Sequence, residues 1–273
     1  MTDPFLWIKE NEIRIPGVTG EHVFLHVSDT HLSVADEFST DEERAEAAKR
    51  EENWMRGREN FARGFGEPFG EAQKIGTPEG FDRLLAYAEK EKPEALLLTG
   101  DNLEAMHPAG ERFLARKLNE TGVPFLCVPG NHEAEECAGA WEPGVRVIES
   151  DGFRIAAVDD RKQTVRGEDL DALEALAAEG IPMILIYHIP AAALGNREAM
   201  RRFGPYFSVD RESEDGNARR FVRFLEECDA VRLTLCGHIH GYSDTEIVPG
   251  KRQITASQGM IGFVGRLTVK GTV

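Results

Sequence analysis

Ala95-Leu96-Leu97-Leu98-Thr99-Gly100-Asp101-Asn102 is the stretch on which the fold turns. An apolar run ends abruptly in a glycine and a carboxylate. A short continuous apolar run bounded by turn residues reads as a strand buried on both faces. The same grammar recurs along the chain. Val23–Ser28 ends in Asp29, Val123–Val128 in Pro129-Gly130-Asn131, Arg154–Val158 in Asp159-Asp160, Met183–Tyr187 in His188, and Val231–Cys236 in Gly237-His238. Helical patterns separate several of these runs, at Pro78–Lys90, Glu111–Glu120, Glu168–Ala178 and Gly216–Glu227. Alternation of this kind implies an α/β fold with a largely parallel sheet. Ligands of such sheets bind beyond the carboxyl ends of the strands, and the polar residues fall there.

Two segments depart from the alternation. Ser243–Val248, Arg252–Ser257 and Phe263–Val269 are short strand candidates split by Pro249-Gly250 and Gly259–Gly262, and they read as an antiparallel meander. Asp36–Gln73 is charged, helix-prone at its start and without a clear strand. It reads either as a solvated insert or as a helical cap leaning over a site. The expected organisation is a single domain over residues 1–273, with this insert or cap at about 36–73.

Composition narrows the class. The chain has 273 residues, 29% of them charged, and a formal net charge of -16. A nucleic-acid binder carries a basic footprint, so nucleic acid and anionic membrane are unexpected partners. A small phosphorylated substrate stays open, because a metal cluster inverts the local field. Cys127, Cys137, Cys228 and Cys236 form no CxxC, which favours free thiols and a cytoplasmic setting. The start, MTDPFLWIKENEIR, has no basic stretch leading into an apolar one. Composition does not fix the oligomeric state.

Five polar elements carry the chemistry: Asp29-Thr30-His31, Gly100-Asp101-Asn102, Gly130-Asn131-His132-Glu133, His188, and Gly237-His238-Ile239-His240. Five of the eight histidines lie in them. Taken singly, most read as turns or as a core histidine. Taken together, five strand ends each deliver Asp, His or Asn. Imidazole nitrogen and carboxylate oxygen suit Zn, Mn, Fe, Co or Ni and need no thiolate. Two divalent ions ~3.5–4 Å apart can clamp a phosphoryl group and lower the pKa of a shared water.

With these motifs in this order, the sequence resembles the calcineurin-like metallophosphoesterase family from about Val23 to His240. The resemblance implies a four-layer αββα sandwich of two mixed sheets flanked by helices. It implies one metal on Asp29, His31, Asp101 and His240, and another on Asp101, Asn131, His188 and His238, with Asp101 bridging. His132 would face the leaving group, oriented by Glu104. Many members carry Gly-Asp-x-x-Asp, where this chain has Glu104. Gly100–His107 contains no tyrosine, which argues against the charge-transfer iron site of purple acid phosphatases.

The expected function is metal-dependent hydrolysis of a small soluble phosphodiester. A phosphomonoesterase, a protein phosphatase, a nuclease and a non-catalytic scaffold are the alternatives. His107, Arg161 and Lys162 are weaker substrate-facing candidates, for which a solvated loop is the ordinary reading. His22 and His26 read as structural. GxSxG, HExxH and a phosphate loop ending in Gly-Lys-Ser/Thr do not occur.

Overall fold

A computed structural model describes residues 3–133 and 144–272. In chain order the elements are β1 (Trp7–Ile15), β2 (Glu21–Val27), α1 (Asp41–Phe65), α2 (Thr77–Glu91), β3 (Ala95–Thr99) and α3 (Pro108–Glu120). Next come β4 (Phe125–Val128), β5 (Arg146–Ser150), β6 (Phe153–Ala157), α4 (Gly167–Ala178), β7 (Met183–Ile186), β8 (Ala191–Ala192) and α5 (Arg197–Arg201). The chain continues through β9 (Val209–Asp210), α6 (Gly216–Glu227), β10 (Val231–Cys236), β11 (Ser243–Val248), β12 (Lys251–Thr255) and β13 (Phe263–Gly271).

The strands divide between two mixed sheets, where periodicity alone implied one largely parallel sheet. One sheet runs β1-β13-β2-β3-β4 and the other β11-β12-β10-β7-β6-β5. Alternation along the buried strands explains the layering. Leu97, Ile184, Ile186, Leu233 and Leu235 point between the sheets with Phe24 and Leu126. Leu96 and Leu98 point the other way, onto Phe81, Leu84 and Leu85 of α2 and Leu114 of α3. Met183 and Leu185 meet Leu170 and Leu173 of α4 and Phe221 and Leu225 of α6. The result is the four-layer αββα sandwich.

The C-terminal meander is corrected. β11 and β12 do form an antiparallel hairpin. β13 instead crosses to the other sheet, pairing parallel with β1 and antiparallel with β2. Phe263, Val264, Leu267 and Val269 are all buried, as an interior strand requires. Gly262 makes the crossing, with φ 85° and so close to Phe5 that a Cβ there would overlap the Phe5 carbonyl oxygen. β1 and β5 escaped the sequence reading because both lie at sheet edges. Their charged residues, as in WIKENEIRI, mask the apolar run.

The segment at 36–73 holds the 25-residue helix α1. Thr40 and Glu43 form a capping box at its start, and left-handed Gly66 closes it. Only Arg58 and Ala62 on it are buried. Polar pins rather than a broad apolar face hold it down. Glu51 accepts from the Thr77 amide at 2.9 Å and its hydroxyl at 2.6 Å. Arg58 donates to the carbonyls of Met260, at 3.0 Å, and of Ile75. Glu67 accepts from the Tyr242 amide at 2.6 Å and from the Ser257 hydroxyl.

Among the described residues no helix is long and apolar enough to cross a membrane. Cys228 and Cys236 are free thiols, and Cys137 lies outside the described residues.

Candidate metal centre

The β2–β3 ladder continues past its strand ends into the first two motifs. The amides of Asp29, His31 and Leu32 donate to the carbonyls of Gly100, Asp101 and Asn102 at 3.0, 2.9 and 2.8 Å. In the second sheet, the Gly237 amide donates to the His188 carbonyl at 2.9 Å. The Asp29 carboxylate accepts from the His238 amide at 3.0 Å and so ties the two sheets together. Gly130 and Gly237 allow this crowding. A Cβ on Gly130 would overlap the Asp101 carboxylate, and one on Gly237 the Ser28 hydroxyl.

Three groups of donors result; two share Asp101, and the third gathers His31, Glu104 and His132. In the first, the ligating atoms of Asp29, His31, Asp101 and His240 all lie within 4.8 Å of one another. His31 Nε2 and His240 Nε2 are 3.0 Å apart, and Asp29 Oδ1 is 3.4 Å from His240 Nε2. The second gathers Asp101, His188 and His238. Asn131 joins it, with Oδ1 3.1 Å from His188 Nε2. Asp29, His31, Asp101 and His188 are fully buried or nearly so, His238 is half-buried, and Asn131 is exposed.

Most of these rings are anchored by their other nitrogen. Thr99 O accepts from His188 Nδ1 at 2.7 Å, Tyr206 O from His238 Nε2 at 3.0 Å, and Glu104 Oε2 from His31 Nδ1 at 2.9 Å. Such partners fix tautomer and orientation. His188 then turns Nε2 toward Asp101 Oδ2, 3.2 Å away, and Asn131 Oδ1. Lone pairs on three atoms converge there, which calls for a cation. In the protein alone that cation is the ring's own proton. Burial disfavours it, but Asp101 and Asp29 outweigh burial and hold His188 up at about 10. A divalent ion satisfies the same atoms, so the residues present fit a metal. His240 Nδ1 is buried without a hydrogen-bond partner among the described residues.

His132 sits at the rim, half-buried, with Nδ1 2.9 Å from Glu104 O and 3.3 Å from Glu104 Oε2. Burial alone would lower its pKa, but the Glu104 hydrogen bond and the Asp101 charge raise it to about 9. Burial likewise opposes ionisation of Glu104, yet its bonds to His132 and His31 hold it at about 2.

Three residues were given no role by the sequence reading. Trp54 of α1 donates its indole N–H to Glu104 Oε2 and stacks on His31, with ring centroids 4.2 Å apart. Asp160 accepts from the amides of His188 at 2.8 Å and Ile189 at 2.9 Å. Glu133 accepts from the amides of Asp101 at 3.0 Å, Leu103 at 2.8 Å and Gly130. The sole sequence signal for the two carboxylates was their place beside a strand-end motif.

A cavity of about 680 Å³ opens over the donors, lined by Trp54, Phe61, Arg161, Lys162, Tyr206 and Phe207 among others. Arg161 and Lys162 line this cavity; Lys162 is exposed, and the Arg161 guanidinium donates to Asp159 and to the Glu133 carbonyl. His107 does not line it. It accepts from the Ala109 amide at the start of α3 and bonds Glu43 of α1 at 2.9 Å. His26 bonds Thr99 and His22 bonds Glu94, away from the donors.

The profile of the calcineurin-like phosphoesterases matches residues 22–242, a span that includes all seven donor residues. The chain belongs to that family. Membership makes it a phosphoesterase by family, and the donor groups give it candidate metal sites. A probable cyclic nucleotide phosphodiesterase of Synechococcus sp. is 29% identical over 163 residues, 56% of this chain. Another, from Psychrobacter sp., is 32% identical over 54 residues, 20% of this chain. The chain covers 60% and 16% of the lengths of these relatives. Among solved structures, a dimetal phosphatase from Danio rerio superposes with a TM-score of 0.56 at 11% identity, covering 88% of each chain. A purple acid phosphatase from yellow lupin seeds gives 0.50 at 11% identity, covering 91% of this metallophosphoesterase and 45% of the lupin chain. At such identities the two structures show the shared fold.

Proposed function

We propose that this metallophosphoesterase hydrolyses a small soluble phosphodiester on a dinuclear centre. Asp29, His31, Asp101 and His240 would hold one divalent ion, and Asp101, Asn131, His188 and His238 the other. The observation that carries this reading is the pair of donor groups sharing Asp101. When bound, the ions supply charge neutralisation for the phosphoryl oxygens and a more acidic water.

The chain's own residues do the rest. His132 Nδ1 faces two oxygens of Glu104 and keeps its proton, which leaves Nε2 for the cavity. A proton on Nε2 passes to the departing ester oxygen as the P–O bond breaks. Glu104 favours the charged ring that does this. His132 and Glu104 are accordingly the catalytic acid and its positioning residue.

The cavity volume supports a small substrate, since small-molecule sites measure roughly 300–1,000 Å³. Net charge of -16 disfavours a polynucleotide. Similarity to the probable cyclic nucleotide phosphodiesterase of Synechococcus makes cyclic nucleotides the first diesters to try. The test is a substrate screen over cyclic nucleotides, aryl diesters and monoesters, repeated with Mn, Ni, Zn and Mg. Diester turnover exceeding monoester turnover is expected with at least one metal. Preference for monoesters under every metal would overturn the diesterase reading.

A further inference from the structure

Glu104 Oε2 is the meeting point of three donors. His31 Nδ1 lies 2.9 Å from it, His132 Nδ1 lies 3.3 Å from it, and the Trp54 indole N–H donates to it. Two of these rings belong to the proposed centre, one as metal ligand and one as acid. The third comes from α1, far away in sequence. Glutamate has several rotatable bonds, and a carboxylate that must serve two imidazoles at once needs them frozen. The indole N–H fixes that oxygen from a third direction.

Trp54 also restrains the rings directly. Its ring is tilted 34° to His31 at 4.2 Å, and lies 5.2 Å from His240 and 6.4 Å from His132. The docking of α1 has other anchors besides this residue. Arg58, Glu51, Glu67 and Glu43 pin the helix through bonds of their own. Among the described residues, the indole N–H makes the one bond of α1 that reaches Glu104 Oε2.

We propose that Trp54 is a positioning residue of the active site, holding the Glu104 carboxylate so that one oxygen orients His31 and His132 together. The inference rests on the phosphoesterase reading for its kinetic consequence but not for its structural one. Loss of an outer partner of this type costs about 10–100-fold in activity or metal affinity.

The test uses the full chain and four variants, W54F, W54H, E104A and W54F/E104A. W54F keeps the ring and removes the N–H, and should lower kcat by about 10-fold or more on an alkyl ester with KM nearly unchanged. W54H restores a ring N–H and should recover part of that loss. In the E104A background, W54F should cost little more, because the two residues act through one contact. Separately, adding Mn²⁺ should quench tryptophan emission in wild type, and W54F should lose most of that quenching. This readout stands even if no ester is turned over, so a failed phosphoesterase reading and a failed Trp54 reading are distinguishable. A W54F enzyme with wild-type kcat, a loss in W54F that simply multiplies that of E104A, or quenching that persists in W54F would each overturn the proposal. If W54F fails to fold, W54L alone and with E104A carries the same comparison, because leucine also lacks the N–H.

Discussion

Asp29, His31, Asp101, His238 and His240 all hold φ between 43° and 72°. Among the described residues, the other non-glycine residues in this region are Lys92 and Gln163. Left-handed backbone at such residues costs of order 1–3 kcal/mol each and persists where surroundings over-determine it. Here the bonds of the Asp29 and Glu133 carboxylates to the His238 and Asp101 amides, and those of the Asp29 and His31 amides to the Gly100 and Asp101 carbonyls, do so. The donors were legible in the sequence because each follows a strand whose end is unmistakable. Asp160 and Trp54 were not, since an Asp-Asp at a strand end and a tryptophan on a charged helix have many ordinary uses. The sharpest residue-scale expectation concerns His132. H132A should keep both metals, because His132 lies in neither of the two donor groups that contain Asp101 and gathers instead with His31 and Glu104. It should lose ~10²–10⁴-fold in rate on alkyl esters. The loss should shrink on nitrophenyl esters, whose leaving group hardly needs a proton. Equal losses on both classes would remove the acid role, and loss of metal would make His132 a ligand.

At the scale of elements, strands buried on both faces and amphipathic helices read clearly, while β1, β5 and the crossing of β13 did not. Edge strands mix charge into the run, and a strand's choice between two sheets is decided by tertiary packing that no local pattern encodes. The helix α1 was legible as helix, but its docking was not, because pins such as Arg58 and Glu51 look like surface charge. One pin gives a pH expectation. Glu43 is held down at about 2, first by its bond to His107 and then by the Thr40 amide, against an ordinary value of 4.5. A folded-state pKa below the unfolded one means the contribution is present above about 4.5 and is lost as pH falls through about 2. The N-terminal turn of α1 should therefore loosen over that acid window. Pepsin cleavage near α1, followed against pH in wild type and E43Q, checks this. The variant should be cut at a rate less dependent on pH across the window, and an unchanged pH profile would remove Glu43 as a pin.

The whole molecule joins two sheets that meet at their strand ends, and the joint is where charge is concentrated. Asp29 and Asp101 lie buried there in a chain of net charge -16. The imidazole nearest Asp101 is His188, whose charged form that carboxylate favours against burial, and His240 Nε2 lies 3.4 Å from Asp29. Ions bound only by the folded state stabilise it by mass action, each by about 2.7 kcal/mol at a free concentration 100 times its Kd. Chelation should accordingly lower the melting temperature, and readdition of Mn²⁺ or Zn²⁺ should restore it in two phases if the sites differ in affinity. Metal analysis of the reconstituted protein should give about two ions per chain. Four donors in each group, with Asp101 counted in both, exceed what one tetrahedral ion takes. H238A is the discriminating variant. Its ring belongs to the group of Asp101, Asn131 and His188 alone, so about one ion should remain bound tightly and one phase of the stabilisation should disappear. Saturation at one ion in wild type, with H238A melting and turning over like the parent, would leave a mononuclear centre and take the bridging role of Asp101 with it.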